Sequence, residues 1–309
     1  MKSVFERLLK HCVDVYFGKT GRNGMPYILH PLEVMSKVES LPEKIVALAH
    51  DYGEFRDVSE LEAIGVSATL IDKIKLLAKT FPDDVPEDDH RYCDYIWNLL
   101  ADPVCCEVKY ADLMVNNGYE DSPAGDGRRF TGQYPRAMAL LANAVEGKIY
   151  FNSRTPYFNI FSNFYEEPLQ ISGDFWKSGE HFYQASKFAK NGLQEDTNIF
   201  RLIVESETPG TAKRLADEYF SDENKERSHQ ALRTFVAMAT MLNVKFAPGT
   251  LARKRLKQTG DLELVHLSGS DFFWGQNRKG DGKNLLGKAL MQMRDSGSDC
   301  SVVNMLANA

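Results

Sequence analysis

The sequence predicts a mainly α protein of two domains, an all-helical amino-terminal half followed by a mostly helical half with a few short strands. Three observations predict it. At 309 residues the chain exceeds the usual single-domain size of roughly 100–150 residues, so each half can bury its own core. Apolar residues recur at three- and four-residue intervals over most of the length, the period of amphipathic helices. At KIYFNSRTPYFNIFSNFYEEPLQISGDFW the texture changes to aromatic and β-branched residues broken by Asn, Ser and Pro. The expected division is therefore 1–147, then 148–295, then a polar and loosely ordered tail over 296–309.

In order, the first half reads as helices at VFERLLKHCVDVYF, LEVMSKV, KIVALAHDY, SELEAIG, ATLIDKIKLLAKTF, DYIWNLLA and YPRAMALLANAV. Gly and Pro punctuate them in GRNGMPY and SPAGDGRR. The second half adds helices at GEHFYQASKFAK, TAKRLADEYF, ALRTFVAMATMLNVKF and TLARKRLKQT, then the Gly-rich SDFFWGQNRKGDGKNLLG and a last helix through Met293.

The composition removes several function classes. Hydrophobic residues at 43%, charged residues at 26% and no apolar run approaching the roughly 20 residues of a span describe a globular protein without a membrane partner. The amino terminus interrupts its apolar positions with charges and has no small-residue cleavage site, so a cytoplasmic location is expected. A net charge of -6 argues against a generalist nucleic-acid binder, and nucleic acid enters only as a modified substrate. The five cysteines have neither CxxC pairing nor zinc-site spacing. FGKTG at Phe17–Gly21 is not a P-loop, because Val13 stands where the leading glycine belongs.

Two constellations carry chemistry. In GRNGMPYILHP, ALAHDYGE and VKYADLMVNN, the residues His30, His50, Asp51 and Asp112 offer two imidazoles and two carboxylates. That set suits a mid-series divalent ion such as manganese or iron, which lowers the pKa of bound water and polarises a phosphoryl oxygen. Glu54, read as i+4 from His50 on one helix, faces the same side and positions the attacking water. Lys19 and Arg22, in the loop before His30, read either as phosphate ligands or as solvated charges. These stretches resemble the HD phosphohydrolase superfamily, in particular the hydrolase part of RelA/SpoT-like alarmone enzymes. The resemblance implies that His30, His50, Asp51 and Asp112 hold a divalent metal, with manganese expected. Phe55 stands where that family usually has an acidic residue, which removes one carboxylate from the water-activating pair.

The second constellation is WKSGEHFYQASKF, residues Trp176–Phe188. Read as a helix it sets Glu180, Gln184 and Lys187 at i, i+4 and i+7 on one face, either a pocket wall or a solvated stripe. With SNFY at Ser162–Tyr165 and the terminus from Asp271 to Arg294, it resembles the NADAR or YbiA-like family. That resemblance implies hydrolysis of an N-glycosidic bond on ribosylamino-pyrimidine intermediates or on ADP-ribosyl-guanine, with no cofactor. Breaking a ribose C1–N bond builds oxocarbenium character, which Glu180 is expected to stabilise while it or a partner deprotonates water. Asp271 assists the base or holds a ribose hydroxyl. Lys187 supplies positive charge to the leaving base, or attacks an opened sugar as a Schiff base. Trp176 and Trp274 offer faces for a nucleobase, and Gln184, Gly275 and Asn284 join them as substrate contacts. The basic loop with Arg278, Lys279 and Lys283 reads as a phosphate loop, or else as a turn before the last helix. The expected whole is a two-domain hydrolase, an N-glycosidase fused to a metal-dependent phosphohydrolase acting on a phosphorylated nucleotide. The alternative is a nucleotide sensor whose inactive first half regulates the second.

Overall fold

Short polar residues set where helices begin. Ser40 Oγ accepts from the Glu43 amide while Glu43 Oε2 accepts from the Ser40 amide, a reciprocal cap that opens a helix at Leu41. The computed structural model describes residues 1–21, 24–78, 89–118, 133–190, 194–195, 198–221 and 230–309. It divides into two units, Met1–Gly147 with Gln258–Asp261, and Lys148–Lys257 with Leu262–Ala309.

The first unit consists of α1 (Lys2–Tyr16), α2 (Leu29–Ser36), α3 (Leu41–Ala49), α4 (Ala68–Leu77), α5 (Asp89–Leu99), α6 (Pro103–Gly118) and α7 (Gln133–Val145). Ile45 through Ala49 of α3 are all buried, and a helix apolar on every side belongs at the centre. It packs against α1, α2, α4 and α6. The expected helix through Tyr52 ends early: α3 stops at Ala49 with His50 as its cap, and a separate 3-10 turn covers Tyr52–Glu54. SELEAIG also becomes a 3-10 helix, Val58–Ile64, closed by Gly65 at φ 92°.

The second unit contains β1 (Lys148–Phe151), β2 (Leu169–Ile171), β3 (Asp174–Trp176), α8 (Gly179–Ser186), β4 (Ala189–Lys190), β5 (Gln194–Glu195), α9 (Asn198–Glu205), α10 (Pro209–Phe220), α11 (Gln230–Lys245), α12 (Leu251–Gln258), β6 (Glu263–His266), α13 (Leu285–Ser296) and α14 (Val302–Ala307). β1 lies parallel to β6, with Tyr150 opposite Val265. β2 and β3 form a hairpin turned by Ser172 and Gly173, both at positive φ, which matches the twist of paired strands. Ser178 caps α8, and α8 packs against α9, α10 and α11. Gly287 lets α13 approach β6, because a Cβ there would collide with the Leu264 carbonyl oxygen.

The tail departs from expectation. Val302–Ala307 form α14, Met305 is buried, and Asn243 of α11 exchanges two hydrogen bonds with the Cys300 backbone. An apolar VVNML segment with an anchor near the carboxyl end of α11 has reason to order. All five cysteines are buried and none forms a disulfide. Among the described residues, no helix is long and apolar enough to cross a membrane.

Candidate functional site

In the second unit a pocket of about 860 Å³ opens between α8, α10, the loop after β1 and the loop after β6. Pockets of 300–1,000 Å³ hold ligands of nucleotide size. Its wall includes Glu180, which is 4% exposed on the first turn of α8. The Ser178 hydroxyl caps this turn, and the Glu180 amide donates to the Asn163 carbonyl at 2.9 Å, tying α8 to the SNFY turn. Gly179 has no room for a side chain, since a Cβ would lie 2.8 Å from Met241 Sδ of α11.

The face expected from the i, i+4, i+7 spacing is a hydrogen-bonded row. Gln184 Nε2 donates to Glu180 Oε1 at 2.6 Å, and Lys187 Nζ donates to Gln184 Oε1 at 2.6 Å. Gln184 therefore bridges a carboxylate and an ammonium, and both neighbours fix which way its amide points. Burial pushes the Glu180 pKa up, against the Gln184 hydrogen bond and the charges of Lys213 and Lys187. Burial pulls Lys187 down, against the attraction of Glu180. Both groups move toward the range where a proton can be exchanged near neutral pH.

Across the pocket wall, Trp274 Nε1 donates to the Tyr183 hydroxyl at 2.8 Å. The indole is held edge-on by Tyr183, Phe235 and Phe273. Asp271 Oδ1 accepts from the amides of Phe273 and Trp274 at 3.1 and 2.9 Å, so one carboxylate oxygen shapes the turn that presents the indole. His266 stacks on Phe151, and burial lowers its pKa, keeping a neutral imidazole at the pocket. Behind the wall lies Lys245, 2% exposed, which donates to the Ser162 carbonyl at 2.6 Å and sits over the Tyr165 ring. Burial draws its pKa down to about 7.

Five expected substrate contacts stand elsewhere. Trp176 ends β3 in the core, packed edge-on against Phe182 and Phe200, and is no part of the pocket wall. Asn284 is buried, where its Oδ1 accepts from the His266 amide and its Nδ2 donates to the Leu264 carbonyl, so it ties α13 to β6. Arg278 lays its guanidinium 4.7 Å from the Tyr150 ring centre, and exposed Lys279 lies outside the pocket wall. Gly275 is a packing glycine, since a Cβ would sit 2.7 Å from the His266 carbonyl oxygen. The pocket instead takes Lys213 and Asp217 from α10 and Arg154 from the loop after β1. Those residues escape sequence reading because TAKRLADEYF has the pattern of any amphipathic surface helix, the i, i+4 spacing of Lys213 and Asp217 being its one weak signal.

In the first unit the polar residues converge from three places. His30 Nε2 lies 3.3 Å from His50 Nε2, 3.5 Å from Asp51 Oδ2 and 3.3 Å from Asp112 Oδ1. His50 Nε2 lies 3.2 Å from Asp51 Oδ2 and 3.6 Å from Asp112 Oδ1. Ligand atoms held about 2.1 Å from one ion stand roughly 3.0–3.4 Å apart, so these spacings fit a divalent cation. His50 Nδ1 is 2.7 Å from the Ala47 carbonyl and donates to it, which turns Nε2 toward the cluster. Outer groups hold the carboxylates: Tyr27 donates to Asp51 Oδ2, and Lys109 and Asn116 donate to Asp112, all at 2.7 Å. Burial disfavours charged imidazoles here, yet the facing carboxylates hold His30 above and His50 well above the ordinary value.

Glu54 does not share a helical face with His50, because the chain leaves α3 at Ala49; it is exposed, and its charge adds to burial and to the charge of Asp51 in raising the pKa values of Tyr27 and Tyr16. Phe55 packs edge-on against Tyr16 and Tyr27. Exposed Lys19 points its ammonium over Phe55 at 5.7 Å, and Arg22 lies outside the described residues.

Residues 150–296 match the NADAR domain family. The chain is 34% identical over 147 residues to an N-glycosidase of Nostoc punctiforme, covering 48% of this chain and 90% of that protein. It is 30% identical over 162 residues to the N-glycosidase YbiA of Escherichia coli, covering 52% and 94%. A riboflavin biosynthesis protein of Vibrio vulnificus is 33% identical over 173 residues, which are 56% of this chain but only 45% of that one. The NMR structure of Escherichia coli YbiA superposes with a TM-score of 0.40 at 29% identity, covering 48% of this chain and 83% of that one.

Proposed function

The chain belongs to the NADAR domain family through residues 150–296, and from that premise we propose that its second unit hydrolyses the N-glycosidic bond between a ribose and its base. The substrate class is ADP-ribosyl-guanine or a ribosylamino-pyrimidine phosphate. One observation carries the reading: a buried carboxylate, Glu180, held by Gln184 on the wall of a nucleotide-sized pocket. As the C1–N bond breaks, its electron pair leaves with the base and positive charge grows on the ribose. Ionised Glu180 stabilises that charge and takes the proton of the water that attacks C1. Lys187, its pKa lowered by burial, gives a proton to the departing nitrogen. The indole of Trp274 and the second oxygen of Asp271 orient base and sugar. Product analysis by mass spectrometry, with ADP-ribosyl-guanosine and a ribosylamino-pyrimidine phosphate, tests this. Free base plus the ribosyl product without added metal is expected, and the absence of cleavage of either would sink it. Borohydride added during turnover leaves Lys187 unmodified on this reading; an adduct there would replace water activation by Schiff-base chemistry.

For the first unit we propose an HD-type site in which His30, His50, Asp51 and Asp112 hold a divalent ion, manganese by preference, and a phosphorylated nucleotide is the substrate. The mutual spacing of the donor atoms of His30, His50 and Asp112 supports it, with Asp51 Oδ2 3.2 Å from His50 Nε2. When bound, the ion supplies an acidified water and a polarised phosphoryl oxygen. The chain's own part is to keep His50 in the ligating tautomer through Ala47, and to hold Asp51 and Asp112 through Tyr27, Asn116 and Lys109. Phe55, set among tyrosine rings, favours the second reading of a metal-bound sensor without turnover. Metal content together with phosphate release from guanosine tetraphosphate separates them: bound metal without release is the sensor.

A further inference from the structure

We propose that Lys213, aided by Arg154, is the seat of the substrate's phosphate in the pocket of the second unit. The inference rests on the glycosidase reading for the substrate and on the following geometry for the seat.

Several cations elsewhere in the unit are engaged. Lys177 donates to the carbonyls of Glu205 and Ser206, Lys245 to that of Ser162 and Lys283 to that of Ala309, while Lys148 pairs with Glu263 and Arg278 lies on Tyr150. The loop whose composition suggested a phosphate site has thus committed two of its three charges to the protein itself. Lys213 and Arg154 both line the pocket, and among the described residues neither side-chain cation has a hydrogen-bond or ion-pair partner. Asp217, one turn beyond Lys213, also lines the pocket without pairing with it.

Lys213 is half-buried, and its charge is felt on two other elements: it favours the ionised form of Glu180, and it disfavours the protonated forms of Lys187 and His266. Lys213 thus shares the pocket wall with the groups on which its charge acts. A cation kept partly out of water with no ion-pair partner among the described residues gains most from an anionic ligand, and the anion that a nucleotide-class substrate carries is a phosphate. Arg154 adds a planar fork suited to a second phosphate oxygen.

Binding to the full chain, measured by calorimetry with ADP-ribose and with ribose 5-phosphate, tests the assignment. Loss of one charge-assisted hydrogen bond predicts that Lys213→Ala weakens the preferred ligand by about 10- to 100-fold. Lys213→Arg retains most of the affinity, and Arg154→Ala has the smaller effect. Binding of the wild-type chain weakens as salt is raised, and that slope is shallower in Lys213→Ala. The ligand preferred by the wild type tells a diphosphate seat from a monoester seat. Equal affinity in wild type and Lys213→Ala, a loss that Lys213→Arg does not restore, or binding of neither ligand to the wild type would each overturn the proposal. Turnover plays no part in the readout. A chain that binds ADP-ribose through Lys213 yet cleaves no N-glycoside keeps this seat and loses the glycosidase reading.

Discussion

The two units gather polar residues in opposite ways. In the first, four side chains from three stretches bring carboxylate oxygens and imidazole Nε2 atoms to within 3.2–3.6 Å of one another. In the second, Glu180, Gln184 and Lys187 ride one helix and already satisfy one another, while the room beside them is shaped for an organic ligand. The difference teaches two ways of building a polar site: one by tertiary convergence of separate stretches, the other along a single helix face beside a pocket. On the functions proposed above the two units also differ in their dependence on metal, and experiments can widen or erase that contrast.

The largest expected effect is at Glu180. Glu180→Gln keeps the shape and the neighbourly contacts but removes the charge, so turnover on the ribosyl substrate falls by about 10³-fold or more with the melting temperature little changed. A variant of full activity would show that the row on α8 is structural. Next is Asp112→Ala, which strands the ammonium of Lys109 in the interior and destabilises the first unit by roughly 3–5 kcal/mol. Calorimetry reads this directly, and a loss below 1 kcal/mol in the absence of metal would mean Lys109 finds another partner. Manganese at about 100 times its Kd should stabilise the first unit by about 2.7 kcal/mol and leave glycosidase turnover unmoved. A chelator that halts cleavage of the ribosyl substrate would erase the contrast between the units.

A smaller effect follows from Lys245. Its folded pKa of about 7 lies below the ordinary lysine value of about 10.4, so between those values the unfolded chain holds more protons. Stability of the second unit therefore rises with pH through that window, and below about pH 7 the cost of the buried charge is felt in full. The melting temperature of the wild type should climb from pH 7 to 9 relative to Lys245→Met; parallel profiles would contradict it. Smallest of all, Arg278→Ala should change turnover by less than about threefold, since an exposed cation–π contact is worth only about 0.5–1 kcal/mol.

Local periodicity made the α8 row legible before any coordinates, because i, i+4 and i+7 on a capped helix fix a common face. The metal-type cluster became legible through motif resemblance alone, since His30 and Asp112 are brought to His50 by tertiary packing of α2, α3 and α6. What misled was composition without context. Trp176 is an aromatic like Trp274, but β3 turns it into the core. Asn284 stands in a basic Gly-rich loop, yet its amide serves β6 from 20 residues away in sequence. Glu54 loses its place opposite His50 because the helix breaks one residue before it. Lys213 went unseen since only the packing of α10 on α8 brings it to the pocket.

The setting of Trp274 has an optical consequence. The chain has three tryptophans; Trp97 and Trp176 are in cores, and Trp274 alone among them lines the pocket, its Nε1 proton on Tyr183. A chain carrying Trp97→Phe and Trp176→Phe would emit from that one indole, and its colour and brightness would report the arrival of any unlabelled ligand in real time.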